Sequence, residues 1–383
     1  MKKCVAILFG GPSTEHEISV ITAMEAINSF PSEDYDFFPI YVSKNLEFLY
    51  SNKFTSTKNM NKENIKNAKK VDFLKTENGV FLTTKTFFGI KKITPIDILF
   101  PIFHGSFGED GSIQGFFDVL DIPYVGPSVQ ASVIGQDKHF QHEVLKNAGF
   151  SIPNFEVVFS FKFFEDPNSV LNRIEKNVKF PCIAKPANLG SSIGISVVES
   201  KEKLSEALEL IFELDQKCVV EEFITDFKEI NCSVLGFEND VEASVVEELK
   251  KEKDFLDFAD KYVGDGAKKG GKKVNNLSML SATRNIPAKI SDEKTKEIQT
   301  LAKKVFTLLG MSGVSRIDFM LKDEKLYITE LNSQPGSLSF YLWEAKGLSY
   351  KNLIKKLLQI AEKVYAKKKS LIRTFDDIKI LDL

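Results

Sequence analysis

The sequence predicts an α/β fold with an open parallel sheet in its N-terminal part. Apolar runs with strand character lie at 3–9, 37–43 and 97–103, and a helix is predicted over 17–29. Each run ends in a polar or glycine-containing loop, which is where open parallel sheets bind ligands. Farther along, 315–337 reads as two short strands joined by a polar turn, with several charged side chains on them.

The composition is that of a globular protein with no bias toward nucleic acid or membranes. The chain has 383 residues, of which 43% are hydrophobic, enough for two or three domains. Its 51 basic and 53 acidic residues leave a net charge of -2, so no global field attracts nucleic acid or anionic lipid. No apolar run matches a signal peptide or a membrane span, so we expect a cytoplasmic protein. The cysteines lack CxxC spacing and are predicted to be reduced core residues.

Changes in composition predict three units, an N-terminal α/β domain over 1–128, a central unit over 129–225 and a C-terminal unit over 226–383. The central unit begins with predicted helices over 129–135 and 138–148, followed by strands near 155, 182, 194 and 218. One segment, 51–75, is polar and nearly lacks aliphatic residues. We expect it to be an inserted, mobile surface excursion without a chemical role.

The strand pair in 315–337 predicts a metal and phosphate site. Side chains two apart in a strand share a face, so Arg316 and Asp318 lie together, as do Glu330 and Asn332. The polar turn at 322–325 has hairpin length and lays the strands antiparallel. Oxygen ligands of this kind suit Mg²⁺, and an arginine beside them can bind phosphate. Taken alone, the segment is also compatible with a solvated hairpin face.

Two glycine-containing loops follow strands of the predicted parallel sheet. In 9–20, a glycine pair permits close approach of a small ligand, and Glu15 is either a ligand contact or a partner of the helix dipole. In 104–115, His104 and backbone amides are expected at the carboxyl edge of the sheet, where they could bind a small carboxylate. A plain turn with a helix cap at Ser112 is the alternative. The other histidines are interpreted as surface or helix residues.

The segment 180–198 predicts a phosphate clamp. Lys185 lies near a strand end, and the loop 190–194 is rich in amides and hydroxyls, without the GK[ST] ending of a Walker loop. Downstream, the apolar strand at 218–224 turns acidic at Glu221, as expected where a carboxylate meets an adenine amino group. Glu229, on the next strand, could hold ribose hydroxyls.

In this order and spacing, the segments resemble the D-alanine:D-alanine ligase family of ATP-grasp enzymes. The HGxxGEDGxxQG loop, the KPxxxGSSxG loop, the RID strand and the ExNxxPG segment are all present. The resemblance implies an ATP-grasp fold preceded by a Rossmann-like, pre-ATP-grasp domain that holds the first D-alanine. It also implies ATP-dependent synthesis of D-alanyl-D-alanine through an acyl phosphate, for peptidoglycan. ATP is then a substrate, two Mg²⁺ ions take part with Mn²⁺ as a substitute, and the chain forms a homodimer through its N-terminal domain.

The resemblance also implies roles for individual residues. The residues implied to contact phosphate are Lys138, Lys185 and the 190–194 loop with Ser192. Those implied to contact adenine are Glu221, Glu222 and Ile224, and Glu229 is implied to contact the ribose. The implied metal ligands are Asp318, Glu330 and Asn332. The first D-alanine meets Glu15 and His104, with Ser191 and Tyr262 bonded to Glu15 and Lys261 beside Tyr262 in a lid over about 249–285. Arg316 and the amide of Gly336 stabilise the tetrahedral intermediate.

The chain departs from the family pattern in the segment that binds the acceptor. A threonine and then a carboxylate-binding serine usually follow ExNxxPG, whereas this chain has Leu338 and Tyr341 there. Ser337 or Ser339 could substitute for the serine, or the acceptor could be D-serine or D-lactate; the aromatic residue at 262 favours D-alanine. The stretch between the predicted adenine and ribose carboxylates is also one residue longer than usual. A third hypothesis is a nucleotide-binding sensor without turnover.

Overall fold

The computed structural model describes residues 2–249 and 284–373. The first eight strands are β1 (Lys3–Gly10), β2 (Tyr35–Val42), β3 (Phe48–Tyr50), β4 (Lys69–Lys70), β5 (Asp72–Thr76), β6 (Gly79–Thr86), β7 (Gly89–Ile96) and β8 (Ile98–Ile102). The helices are α1 (His16–Asn28), α2 (Lys62–Lys66), α3 (Ser112–Leu120), α4 (Val129–Gln136), α5 (Lys138–Asn147), α6 (Ser160–Glu165), α7 (Pro167–Asn177), α8 (Lys201–Phe212), α9 (Asp292–Leu308), α10 (Phe340–Ala345) and α11 (Tyr350–Lys369). Short 3₁₀ turns occupy Thr57–Asn59 and Gly336–Ser339.

The N-terminal sheet has the strand order β4-β3-β2-β1-β8. The predicted parallel arrangement is confirmed for β1 with β2 and β8, so the loops that follow β1 and β8 meet at one edge of the sheet. In contrast, β3 is antiparallel to β2, because the five residues between them are too few for a crossover connection. The next strand, β4, is antiparallel to β3. A separate antiparallel sheet, β5-β6-β7, lies beside it.

The segment 51–75 is ordered rather than a mobile excursion, and that prediction is wrong. It contains a 3₁₀ turn, α2, β4 and most of β5. Phe54 is fully buried in the core that also holds Tyr41 and Leu49, and Val71 is buried in a neighbouring cluster. Phe54 and Val71 therefore fix this polar segment to the body of the domain.

The central sheet is antiparallel with the order β11-β10-β12-β9. Its strands are β9 (Phe155–Phe159), β10 (Cys182–Pro186), β11 (Ser196–Val198) and β12 (Lys217–Glu222), close to the predicted positions. Helices α7 and α8 cover one face, where Leu171, Ile174, Leu204 and Leu208 form the core with the buried Cys182 and Cys218. As predicted, the four cysteines are free, although Cys4 is only half-buried.

The C-terminal sheet has the order β15-β14-β13-β16-β17, and neighbouring strands are all antiparallel. Its strands are β13 (Lys228–Phe237), β14 (Asp240–Leu249), β15 (Arg284–Asn285), β16 (Ser312–Lys322) and β17 (Lys325–Asn332). The predicted hairpin is confirmed as β16 and β17. Its two turn residues, Asp323 and Glu324, both have positive φ, which matches the twist of the flanking strands.

The last helix, α11, links the two ends of the chain. Leu353, Ile354 and Leu357 are fully buried in the core that holds β1 residues such as Ile7 and also Val314 of β16. This shared core fixes the N-terminal sheet edge over the C-terminal sheet. Within the described ranges, no helix has the length and apolar character needed to span a membrane.

Candidate active site

The predicted metal ligands lie on facing positions of the C-terminal hairpin. Asp318 of β16 is in register with Glu330 of β17, and Arg316 is in register with Asn332. The Arg316 guanidinium donates two hydrogen bonds of 2.7 Å to the two oxygens of Asp318. Asn332 donates its amide nitrogen to Asp318 at 2.9 Å, which leaves the amide oxygen as a ligand atom.

These residues fit a Mg²⁺ site. Mg²⁺ is bound by one or two carboxylates together with substrate phosphates, and this site offers two carboxylates and one amide oxygen. No cluster of three or more His, Cys, Asp or Glu side chains suited to a metal occurs in the described ranges, so substrate or water oxygens would complete the coordination. The two carboxylates are balanced by protein cations, Asp318 by Arg316 and Glu330 by Lys138.

Lys138 is a buried cation aimed at the same site. Its ammonium group lies 3.0 Å from Glu330 and donates to the carbonyl oxygen of Leu189 at 2.7 Å, in the loop predicted to bind phosphate. Burial alone would lower the Lys138 pKa, but the neighbouring carboxylates, with Glu330 the main contributor ahead of Glu221 and Glu15, together outweigh it and the pKa is raised. The side chain is therefore a fixed positive charge between the predicted metal ligands and the loop predicted to bind phosphate.

Lys185 belongs to a second buried cluster, on the central sheet. It donates to one oxygen of Glu221 at 2.7 Å, and His142 of α5 lies 3.1 Å from the other oxygen. Burial would raise the Glu221 pKa, but Lys185 and His142 together outweigh it and the pKa falls to about 2. Both oxygens of Glu221 are thus engaged with protein side chains. His142, predicted to be a surface or helix residue, lies in α5, and its side chain is fully buried.

Glu15 lies where two loops close on each other. It accepts a short hydrogen bond from Ser191, whose φ of +52° is left-handed. A Cβ atom added to Gly190 would lie 2.8 Å from Oε2 of Glu15, and one added to Gly105 would lie 2.7 Å from it. Only glycines permit this approach of both loops to the carboxylate. Burial raises the Glu15 pKa, and the Ser191 hydrogen bond opposes the rise.

His104 is buried with both ring nitrogens engaged. Nδ1 lies 3.0 Å from the carbonyl oxygen of Gln334, and Nε2 lies 3.0 Å from the hydroxyl of Thr22. Burial lowers the pKa of His104 to about 4, so the imidazole is neutral near pH 7. A neutral ring must donate from Nδ1, because a carbonyl oxygen can only accept.

Glu109 is a site residue that the sequence reasoning did not single out. Its carboxylate accepts from the amide of Gly105 at 2.8 Å, and from the hydroxyl of Ser333 and the amide of Gln334, both at 2.9 Å. Burial raises the pKa of Glu109 to about 8, with a smaller contribution from Glu15. The residue ties the loop after β8 to the segment between Asn332 and Gly336. The HGxxGEDG motif, which contains it, was the available signal.

The acceptor segment adopts an unusual backbone. Ser337, Leu338 and Ser339 have φ values of +52°, +50° and +51°, so three consecutive non-glycine residues are left-handed. The amide of Ser337 donates to Thr22 at 3.2 Å, which anchors the turn on α1. Ser339 and Leu338 are fully buried, whereas Ser337 is half-buried. Of the two substitute serines considered, only Ser337 has an accessible side chain.

Most of the predicted residues line one cavity of about 220 Å³ between the N-terminal sheet edge and the C-terminal sheet. Those lining it are Glu15, His104, Lys138, Ser191, Ser192, Glu229, Arg316, Asp318, Glu330, Asn332 and Gly336. The predicted residues outside its lining are Lys185, Glu221, Glu222, Ile224, Ser337 and Ser339. Lys261, Tyr262 and the rest of the predicted lid lie outside the described residues. A larger open groove of about 550 Å³ beside Phe155 contains none of the predicted residues.

Comparison with known proteins gives the family. The protein-family model for the D-ala D-ala ligase N-terminus matches residues 4–127, and the family model for the D-ala D-ala ligase C-terminus matches residues 144–359. The chain belongs to the D-alanine–D-alanine ligase family. A protein of Thermosipho africanus named D-alanine--D-alanine ligase is 37% identical to this chain, and the match covers 97% of this chain and 96% of that protein. The ligase of that name in a Thermoanaerobacter species is 38% identical, with 94% and 96% covered.

Solved ligase structures share the fold. A D-alanine-D-alanine ligase from Coxiella burnetii superposes with a TM-score of 0.79 at 25% identity, covering 97% of each chain. The VanG D-Ala:D-Ser ligase from Enterococcus faecalis superposes with a TM-score of 0.78 at 29% identity, covering 94% of this chain and all of its own. The predicted ATP-grasp fold is confirmed. The residue roles given above stay predictions, because similarity of whole chains does not test single side chains.

Proposed function

We infer that this D-alanine–D-alanine ligase family member joins two D-alanine molecules into D-alanyl-D-alanine for peptidoglycan, with ATP converted to ADP and phosphate. The observation that carries this function is one cavity lined by three kinds of protein group: the carboxylate assigned to the first D-alanine, the cations assigned to phosphate, and the paired oxygen ligands assigned to the metal. Glu15, Lys138, Arg316, Asp318 and Glu330 all line it. The names of the curated relatives favour D-alanine as acceptor over D-serine or D-lactate.

The first half-reaction turns an unreactive carboxylate into an acyl phosphate. We propose that Glu15, fixed by Ser191, binds the ammonium group of the first D-alanine, while the loop that His104 anchors approaches its carboxylate. The carboxylate oxygen attacks the γ-phosphorus of ATP, ADP leaves, and charge spreads over the phosphoryl oxygens. Lys138 and Arg316, at opposite sides of the Asp318–Glu330 pair, stabilise that charge.

Divalent metal fits between these groups and the nucleotide. When bound by Asp318, Glu330 and Asn332, Mg²⁺ would neutralise charge on the phosphates. The protein holds those ligands in place beforehand through Arg316 and Lys138. On the nucleotide side, Glu221 fixes Lys185 at the end of β10, where its ammonium group is pre-oriented for phosphate.

In the second half-reaction the amine of the acceptor, having lost its proton, attacks the acyl carbonyl. The carbonyl oxygen becomes an oxyanion. When the carbonyl re-forms, the bond between the acyl carbon and the phosphate oxygen breaks, and phosphate leaves with its electron pair. Arg316 and the amide of Gly336 are the donors we assign to the oxyanion. One such preset donor is worth about 3 kcal/mol of barrier. Gln334, two residues before Gly336, is held on both sides, by Glu109 at its amide and by His104 at its carbonyl, so the backbone that leads to Gly336 is restrained.

Several finer statements belong to this proposal. We propose two Mg²⁺ ions per site, with Mn²⁺ as an effective substitute, a homodimer formed through the N-terminal domain, and action in the cytoplasm. The family resemblance supports them. Titration of bound Mn²⁺ by electron paramagnetic resonance measures the number of metal ions, light scattering measures the oligomeric state, and cell fractionation tests the location.

The test of the function is a product assay. Purified protein is incubated with ATP, Mg²⁺ and D-alanine, with D-serine and D-lactate added in parallel, and products are identified by mass spectrometry. We expect phosphate release that depends on D-alanine, and D-alanyl-D-alanine as the main product. Asp318→Asn is the matched control, which keeps the side-chain shape and removes one carboxylate. ATP binding without phosphate release would instead identify a nucleotide sensor.

A further inference from the structure

The backbone that leads into the 190–194 loop is held by one short segment, the junction of α4 and α5. We call residues 187–189 the loop root. The carbonyl oxygens of all three root residues accept hydrogen bonds from residues 136–138. The bonds run from the backbone amide of Lys138 to Ala187 at 3.0 Å, from the side-chain amide of Gln136 to Asn188 at 2.7 Å, and from the ammonium group of Lys138 to Leu189 at 2.7 Å.

The turn between α4 and α5 is itself fixed, so these donors have defined positions. Helix α4 ends at Gln136 and α5 begins at Lys138. Asp137, between them, caps α5 by accepting from two backbone amides of its first turn, at 3.0 and 3.3 Å. The same carboxylate forms an ion pair with Lys217 of β12. The turn is therefore tied to the central sheet from which the 190–194 loop extends.

Asn188 is held at its nitrogen atoms as well. Its backbone amide donates to Asp215 at 2.7 Å, and its side-chain amide lies 3.2 Å from each oxygen of the same carboxylate. Gln136 supplies the contact to its carbonyl oxygen. Beyond the root, Ser191 and Ser192 are exposed and have positive φ. The loop thus has a tethered root and an exposed tip, and the orientation of the root decides where the tip lies.

Gln136 reaches the root from within the cavity already described. The cavity lining includes Gln136, Lys138, Leu189 and Gly190. Lys138 has a charge partner there, because its ammonium group lies 3.0 Å from Glu330. Gln136 is uncharged and half-buried, and its side-chain amide donates to the loop root. Its contribution is therefore to the geometry of the loop rather than to the charge of the site.

We propose that Gln136 is a positioning residue, which sets the orientation of the loop root through Asn188 and so seats the 190–194 loop over the phosphates. The proposal rests on the ligase function inferred above, in which an acyl phosphate must be protected from water. Water that enters adds its oxygen to the acyl carbon, and phosphate leaves with the electron pair of the broken C–O bond. Free D-alanine re-forms, and the two water protons pass to phosphate and solvent. A seated loop excludes that water.

The test measures coupling together with affinity in Gln136→Met, which keeps the side-chain length and removes the donor. Phosphate release and dipeptide are quantified in the same samples. Loss of one hydrogen bond is expected to raise the Michaelis constant for ATP about three- to tenfold. Phosphate released per dipeptide should rise above one, with the melting temperature close to that of wild type. Gln130→Met is the matched control: it is exposed on the same helix, and both values should stay unchanged.

Asp215→Ala loosens the same root without altering α4, because it removes the acceptor for the Asn188 nitrogens, and it should also raise phosphate released per dipeptide. A larger ATP constant in Gln136→Met with phosphate and dipeptide still equal would identify a direct ligand contact and overturn the positioning role. Unchanged values, or a lower kcat alone with a fall in melting temperature, would overturn it too. Phosphate release without any D-alanyl-D-alanine in the wild type would refute the ligase function itself, independently of the variants.

Discussion

Glu221→Gln is the substitution that most directly tests the buried electrostatics of the nucleotide side. The native carboxylate lies between Lys185 at 2.7 Å and His142 at 3.1 Å, and the glutamine keeps its shape while removing its charge. The pKa of Glu221 falls from 4.5 to about 2, which corresponds to roughly 3 kcal/mol of folding free energy. A lowered carboxyl pKa stabilises the fold above pH 4.5, and the effect is lost as pH falls toward 2. Breaking one partner of a buried pair gives a similar figure, about 3–5 kcal/mol.

The assay is a double-mutant cycle on the free energy of the first urea unfolding transition at pH 7. Glu221→Gln is expected to lose roughly 3 kcal/mol, and Lys185→Met also to destabilise, because each leaves a buried partner without its counter-charge. The double variant should lose at least about 1 kcal/mol less than the sum of the two. Strict additivity, or no loss in Glu221→Gln, would refute the reasoning that this carboxylate exists to fix Lys185.

Two further predictions concern the N-terminal side of the cavity. Gly190→Ala places a methyl group 2.8 Å from a Glu15 oxygen, so the Michaelis constant for the first D-alanine should rise about tenfold. The control is Gly115→Ala, where no atom lies within 4 Å of the added methyl group, and it should leave the kinetics unchanged. Equal effects of the two substitutions would contradict the contact between the 190–194 loop and Glu15. Because burial raises the Glu109 pKa to about 8, the stability of the wild type should fall as pH rises from 5 to 9. Glu109→Gln should flatten this dependence, measured as melting temperature against pH. Parallel melting-temperature profiles of wild type and variant would count against a buried acid at this position.

The C-terminal hairpin was predictable because its information is local. Two-residue alternation placed Arg316 with Asp318, and the turn length fixed the antiparallel pairing that brings Glu330 opposite Asp318. The loops after β1 and β8 were likewise predictable, since parallel strands put their carboxyl ends at one edge.

What the sequence did not reveal depends on contacts between distant segments. His142 belongs to the site because α5 packs against β12, which lies about eighty residues farther along the chain. Tyr341 meets Glu247 across a similar separation, and no local pattern marks Glu247 or predicts this contact. The burial of Phe54 was missed for the opposite reason, because an average over a polar segment conceals one anchoring aromatic residue. The domain boundaries at 128 and 225 stay a prediction.

The central claim is that Asp318, Glu330 and Asn332 hold the divalent metal against the nucleotide phosphates. The most direct measurement is anomalous diffraction from Mn²⁺ in crystals grown with ADP and a phosphinate mimic of the tetrahedral intermediate. The account predicts anomalous peaks about 2.0–2.4 Å from carboxylate oxygens of Asp318 and Glu330 and from the amide oxygen of Asn332, with phosphate oxygens completing the shell. Manganese bound elsewhere, with these three side chains contacting only Arg316, Lys138 and solvent, would contradict it.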